Sequence, residues 1–190
     1  MKHLRFETPL CELEVIDEGM YAPWSVDKLR QYSREYLLFD VKEYASQLGI
    51  VAVTKDGSQH SCIVMAQGWT VSVHEHSAAI ISDRIFIAVG NRICCLLLPS
   101  LELRWHREVD FATCFGVYFS RENNCLISHG ECDIARFSLN GELVWSVSGK
   151  DIFSGDLSLF IKHVDVTDFN LERYRISISD GNIQLVDGKR

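Results

Sequence analysis

Residues 126–149 read LISHGECDIARFSLNGELVWSVSG, and this stretch decides the fold. Short runs of apolar and β-branched residues are broken at Gly130 and at Asn140-Gly141, residues that favour tight turns. The reading is strand, turn, strand, turn, strand. The same outline lies 40 residues upstream with no gap: Glu102-Leu103-Arg104-Trp105 aligns with Glu142-Leu143-Val144-Trp145, Gly90 with Gly130, and Ile87 with Ile127. Self-similarity at this period marks an array of small sheets, each unable to cover its own apolar faces.

Working outward, the same punctuation continues in both directions. Repeat blocks are expected at about 49–76, 78–110, 115–149 and 159–190, all within one domain. In the first block, residues 50–54 lead into the Asp56-Gly57 hairpin signal, and residues 70–74 alternate with period two. The last block stops before a tryptophan strand. The N-terminal His3-Leu4-Arg5-Phe6 resembles Glu102-Leu103-Arg104-Trp105, so an N-terminal strand is expected to complete the last sheet and hide its edge. Residues 18–48 are the least repeat-like. They predict one or two short helices, at about 25–32 and 40–48, the first capped by Ser25 and the second closed by Gly49.

The residues 140–145, NGELVW, and 101–105, LELRW, make the blocks resemble β-propeller blades of the quinoprotein-like or WD-like kind. The resemblance implies stacked antiparallel sheets, with each tryptophan packed between neighbouring sheets. It covers residues 78–150 well and its flanks loosely, and no Gly-His or Trp-Asp dipeptide marks a WD repeat. Propellers carry about 4–8 blades, and 190 residues have room for four at most. The expected fold is all-β, either a small or partial propeller or, alternatively, a two-sheet β-sandwich.

Composition narrows the function. The chain is 47% hydrophobic and 24% charged, ordinary for a soluble globular protein. The charged N-terminus has no secretory h-region, and the longest apolar run is too short to span a bilayer, so a cytoplasmic location is expected. Seven cysteines, an odd number with no CxxC, are expected to be reduced and buried. A net charge of -7 argues against a nucleic-acid partner and favours a basic protein partner. The acids fall in two runs with little basic interruption: Glu12, Glu14, Asp17 and Glu18 near the N-terminus, and Asp151, Asp156, Asp165 and Asp168 near the C-terminus. With the aromatic residues Tyr21 and Trp24, these eight acids are the candidate partner-binding residues.

Two clusters invite chemistry. His74 and His76 share one face if their segment is a strand, and His60 would supply a third metal ligand. His129-Gly130-Glu131-Cys132-Asp133 gathers a thiol, an imidazole and two carboxylates around a turn, as a cysteine nucleophile requires. No phosphate loop, GxGxxG, GxSxG or HExxH occurs, and no cofactor is expected. The expected function is a non-catalytic protein-binding module. The specific form is a cytosolic immunity or inhibitor protein that neutralises a basic toxin domain by direct binding, a nuclease for example. The alternatives are a small metal-dependent hydrolase using His60, His74 and His76, and a scaffold subunit of a larger complex.

Overall fold

The structure, a computed structural model, describes residues 3–22, 30–38 and 45–186. These residues form four sheets and, among them, no helix. Sheet 1 contains β1 (His3–Glu7), β2 (Cys11–Asp17), β3 (Arg34–Leu37), β4 (Ala45–Thr54) and β5 (Gln59–Gln67), in the order β1-β2-β4-β5-β3. Sheet 2 is β6 (Ala78–Ile81), β7 (Arg84–Val89), β8 (Arg92–Leu97) and β9 (Glu102–Glu108). Sheet 3 is β10 (Cys114–Ser120), β11 (Cys125–Gly130), β12 (Asp133–Phe137) and β13 (Leu143–Ser148). Sheet 4 is β14 (Ser158–Leu159), β15 (His163–Thr167), β16 (Arg173–Ser177) and β17 (Ile183–Val186). Sheets 2 to 4 are antiparallel meanders.

Three apolar clusters join successive sheets. One joins sheets 1 and 2 through Val15, Ile50, Val64, Ile87 and Leu96. The second joins sheets 2 and 3 through Phe86, Cys95, Val117 and Leu126. The third joins sheets 3 and 4 through Ile127, Ile134, Val164 and Ile176. Each strand alternates, so each sheet presents one face backward and one forward.

The tryptophans do what the repeat implies. Trp105, opposite Cys95, and Trp145, opposite Arg136, lie on the last strands of sheets 2 and 3. In both, the tryptophan strand itself is bulged: Arg104 and Val144 are skipped in the register, so that Cys95-Leu96 face Trp105 and Leu103, and Arg136-Phe137 face Trp145 and Leu143. The bulge absorbs the variable residue of each motif, Arg104 or Val144, and re-aims the indole toward the next sheet. There Trp105 Nε1–H donates to Leu139 O at 3.2 Å, and Trp145 Nε1–H donates to Ile178 O at 2.9 Å. Each ring lies on a hairpin glycine: a Cβ on Gly141 would sit 2.7 Å from Trp105 Cδ2, and one on Gly181 2.9 Å from Trp145 Cδ2. Both glycines also have positive φ (+81° and +73°), so a side chain is excluded twice.

Sheet 1 makes the same grip with a different residue. Between β2 and β4 the chain leaves the meander and lays β3 parallel to β5 at the sheet edge. Tyr36 on β3 then donates to Leu101 O at 3.0 Å and accepts from Leu103 N–H at 3.2 Å.

The array ends in polar faces. The cross-strand row Ala79-Phe86-Cys95-Trp105 of sheet 2 becomes Tyr118-Ile127-Arg136-Trp145 in sheet 3 and Ser158-Asp165-Arg175-Gln184 in sheet 4. In the last row Asp165 is buried beneath two half-exposed arginines, 2.7 Å from Arg173 and 2.8 Å from Arg175. At the other end, the backward face of sheet 1 carries His3, Arg5 and Glu14. It is covered by Tyr21 and Tyr32, which pack on Ile63 and Met65. The backward face of sheet 1 is thus charged and covered, and the outer face of sheet 4 carries a buried carboxylate beneath two arginines.

Several sequence expectations are corrected. β1 pairs with β2 in sheet 1 and does not complete the last sheet. Sheet 4 already has its fourth strand, β17; its first, β14, has only two residues, too few to register as an apolar run. Residues 70–74 are not a strand, because β3 already fills the sheet edge that they would join. The helix expected at 25–32 lies almost wholly outside the described residues. Of the second, at 40–48, Ala45–Leu48 belong to β4 and the rest lies outside them.

Trp145→Ala is expected to cost about 3 kcal/mol in urea titration. Gln184→Ala, at the matching position of sheet 4, should stay within about 0.5 kcal/mol in this chain, because its side chain is exposed.

Candidate functional site

The loops that enter the first strands of sheets 2, 3 and 4 lie at one end of the array, stitched to the turns beside them. Asn91 N–H donates to Gln67 O at 2.6 Å, Glu131 N–H to Thr113 O at 2.8 Å and Phe169 N–H to Ile152 O at 2.8 Å. Asp110 reinforces one stitch: its carboxylate accepts from the backbone N–H groups of Ala112, Thr113, Cys132 and Asp133. These loops line a cleft of about 480 Å³ with His74, Glu75, His76, Phe115, Tyr118 and His129 on one side and residues 154–157, including Asp156, on the other.

Inside the cleft the three imidazoles differ. His74 Nε2 lies 2.8 Å from Phe115 O, which can only accept, so the proton is on Nε2; His74 Nδ1 then accepts from His76 N–H at 3.3 Å. Both nitrogens are spent. The His76 ring stacks on Tyr118 at 4.1 Å. His129 is 6% exposed, edge-on to Phe115, and its Nε2 is buried with no hydrogen-bond partner. Burial pushes His129 down to about 4, with the Asp156 carboxylate pulling the other way. Burial also lowers His76, and raises the Tyr118 phenol to about 12 with help from Asp156 and Glu75. Among the described residues no Lys or Arg lines the cleft.

The expected metal set is therefore not assembled. His60 lies near the start of β5, opposite Ala52, at the far end of that strand from the 68–77 loop. His129 joins His74 and His76 in its place, and among the described residues no group of three side chains is arranged to hold a metal ion. The nucleophile reading also loses its support. Burial and the carboxylates of Asp110, Glu131 and Asp133 raise the Cys132 thiol, the opposite of activation. Among the described residues no serine, threonine or cysteine side chain is hydrogen-bonded to an imidazole.

The acid runs are largely committed within the fold. Glu18 is buried and accepts from Tyr32 Oη at 2.7 Å. Burial disfavours charge on Glu14, but its bonds to Arg5 and His3 outweigh that and hold it low. Asp17 accepts from Gly19 N–H. The Arg175 hydrogen bond, against burial, holds Asp165 low; Arg173 and His163 add to it. Asp168 is fully buried and accepts from Glu172 N–H and Tyr174 Oη. Asp151 accepts from Ile152 N–H and Asn170. Glu12 and Asp156 are exposed, and of the eight acids Asp156 alone lines the cleft. Tyr21 is buried, not exposed; Trp24 lies outside the described residues.

Sequence reasoning missed the exposed apolar residues on the same loops and turns: Trp69 (75% exposed), Phe111 (87%), Phe169 (66%) and Leu171 (84%). Isolated hydrophobic residues in turns carry no periodic signal, so nothing along the chain distinguishes them from core.

With this geometry, comparison is informative. The structure is similar to the β-propeller domain of Cps50 (Swd1) from Myceliophteria thermophila, with 10% identity and TM-score 0.52, over 77% of this chain and 57% of that one. The fold is a run of four β-propeller blades. The WD40 repeats of RRP9 align at 13% identity and TM-score 0.49, over 62% of this chain and 40% of that one. U3-55K aligns at 13% identity and TM-score 0.49, over 63% and 42%. The chain thus spans roughly two- to three-fifths of the propeller structures it matches. No protein-family model matches, and neither does any curated protein.

His129 makes the blades sensitive to acid. The unfolded chain takes up its proton near the ordinary value of 6.5 and the folded protein only near about 4. Stability is therefore fully present above 6.5 and falls as pH drops toward about 4, by up to about 3 kcal/mol. Urea midpoints should fall between pH 7 and about 4.5, and less steeply in His129→Gln.

Proposed function

We propose that this protein is a non-catalytic protein-binding module that presents the loop end of its blades to a basic partner. One observation carries the reading: Trp69, Phe111 and Phe169, each at least two-thirds exposed, stand on the loops and turns at the end that carries the acidic, histidine-lined cleft. Exposed aromatics beside a polar rim are the composition of binding hot spots. The propeller fold agrees, since its loop ends are rigidly held by the sheets beneath. The spent nitrogens of His74 and the raised Cys132 thiol favour a binding role over a hydrolytic one.

The narrower reading, an immunity protein that neutralises a basic toxin, is supported by the net charge of -7 and by the exposed acids Glu12 and Asp156. Of the other acids, Glu18, Asp165 and Asp168 are buried and Glu14, Asp17 and Asp151 are held in local hydrogen bonds, so any basic partner is met mainly at the loop end. Seven unpaired thiols favour a reducing, cytoplasmic setting.

Affinity capture from the native source with quantitative mass spectrometry tests this. A partner retained by the wild-type protein should be lost by a Trp69→Ala, Phe111→Ala variant of unchanged circular dichroism, since each hot-spot truncation costs about 2 kcal/mol or more. Equal recovery by the variant would move the interface elsewhere; recovery of no partner by either would remove the proposal.

A further inference from the structure

We infer that the cleft between the blades is a socket for an arginine side chain of the partner, with His129 at its floor and Asp156 at its mouth. This deepens the protein-binding reading and rests on it.

The first argument is the orphaned atom. His129 Nε2 is buried without a hydrogen-bond partner, on a side chain 6% exposed that lines the cleft. A buried polar atom left unpaired is costly, and native proteins rarely leave one so unless something else pairs with it. His129 stays neutral down to about pH 4, so it adds no positive charge to oppose a cation, and its tautomer protonated on Nδ1 offers a lone pair at Nε2 to an N–H donor.

The second argument is charge. Of the described residues that line the cleft, two carry carboxylates, Glu75 and Asp156, and none is Lys or Arg. Asp156 acts electrostatically on His76, Tyr118 and His129 alike, so its field pervades the site. Such a site favours a cation and opposes an anion.

The third argument is shape. Phe115, Tyr118 and the imidazole stacked on Tyr118 make the wall aromatic. A guanidinium is planar, stacks on aromatic rings, is weakly hydrated and carries donors along several edges. It can meet an imidazole nitrogen at the floor and a carboxylate at the mouth together. An ammonium is a compact, strongly hydrated point charge and matches one of these at a time. The preference for arginine over lysine follows from its planar, weakly hydrated fork of donors set against an aromatic wall.

The probe is Nα-acetyl-arginine N-methylamide, titrated into the whole protein while the imidazole resonances are followed by NMR. The expected result is saturable movement of the His129 and His76 signals. The lysine analogue should bind about 10-fold more weakly, and Asp156→Asn should weaken arginine binding by about 10-fold, the effect of one lost charge-assisted hydrogen bond. Free arginine, whose carboxylate meets Glu75 and Asp156, should also bind more weakly than the blocked amide; tighter binding of free arginine would assign the cleft to a small metabolite and overturn the proposal. So would the absence of saturable shifts, equal binding of the lysine analogue, or indifference to Asp156→Asn in a variant with unchanged circular dichroism.

The two readings fail separately. Partner capture that depends on Trp69 and Phe111, with no binding of the arginine probe, removes the socket and leaves the module. Probe binding with no captured protein removes the module, and with it the assignment of the guanidinium to a protein partner.

Discussion

The grip of an edge-strand aromatic on the hairpin of the next sheet holds this array together. Trp105 on Gly141, Trp145 on Gly181, and Tyr36 on the turn at Leu101 repeat one arrangement: a ring or hydroxyl from one blade satisfies backbone carbonyls of the next. Sheets packed through apolar faces alone are free to slide. A directional hydrogen bond at the outer edge sets the angle between blades as well as their contact. Arg84 on Leu139 O and Arg136 on Ile178 O strengthen the same two junctions.

From this constraint the rest follows. Where the grip is needed, the forward row of the sheet ends in a bulge and a tryptophan. In the fourth blade the row turns into Asp165, Arg175 and Gln184, and no register shift interrupts it. The unusual excursion that brings β3 beside β5 has the same explanation: the first blade requires an edge residue to hold the second, and Tyr36 provides it. Much of the acidic character of the chain is used in these end faces. Asp165 and Glu14 neutralise arginines and Glu18 holds Tyr32, which covers the back of the first sheet.

The sheets in turn hold the loop end rigid. The stitches between loops and adjacent turns are backbone hydrogen bonds reinforced by the four-fold acceptor Asp110, so the cleft is built on fixed elements. Such a site can keep one imidazole nitrogen unpaired at its floor, because the surrounding backbone does not relax to meet it.

Residue order by itself determined most strands of sheets 2 to 4, the tryptophan pair and the all-β class. Those depend on short-range alternation and on turn chemistry such as Asn140-Gly141 and Asp180-Gly181, which are local. Tertiary structure alone decided where β1 pairs, that β3 runs parallel at a distant edge, that residues 70–74 stay a loop, and that His129 rather than His60 joins His74 and His76. It also decided that three of the eight candidate acids, Glu18, Asp165 and Asp168, are buried. Edge pairing and side-chain convergence depend on which strand is left unpaired after all the others have docked, and no window of sequence contains that information.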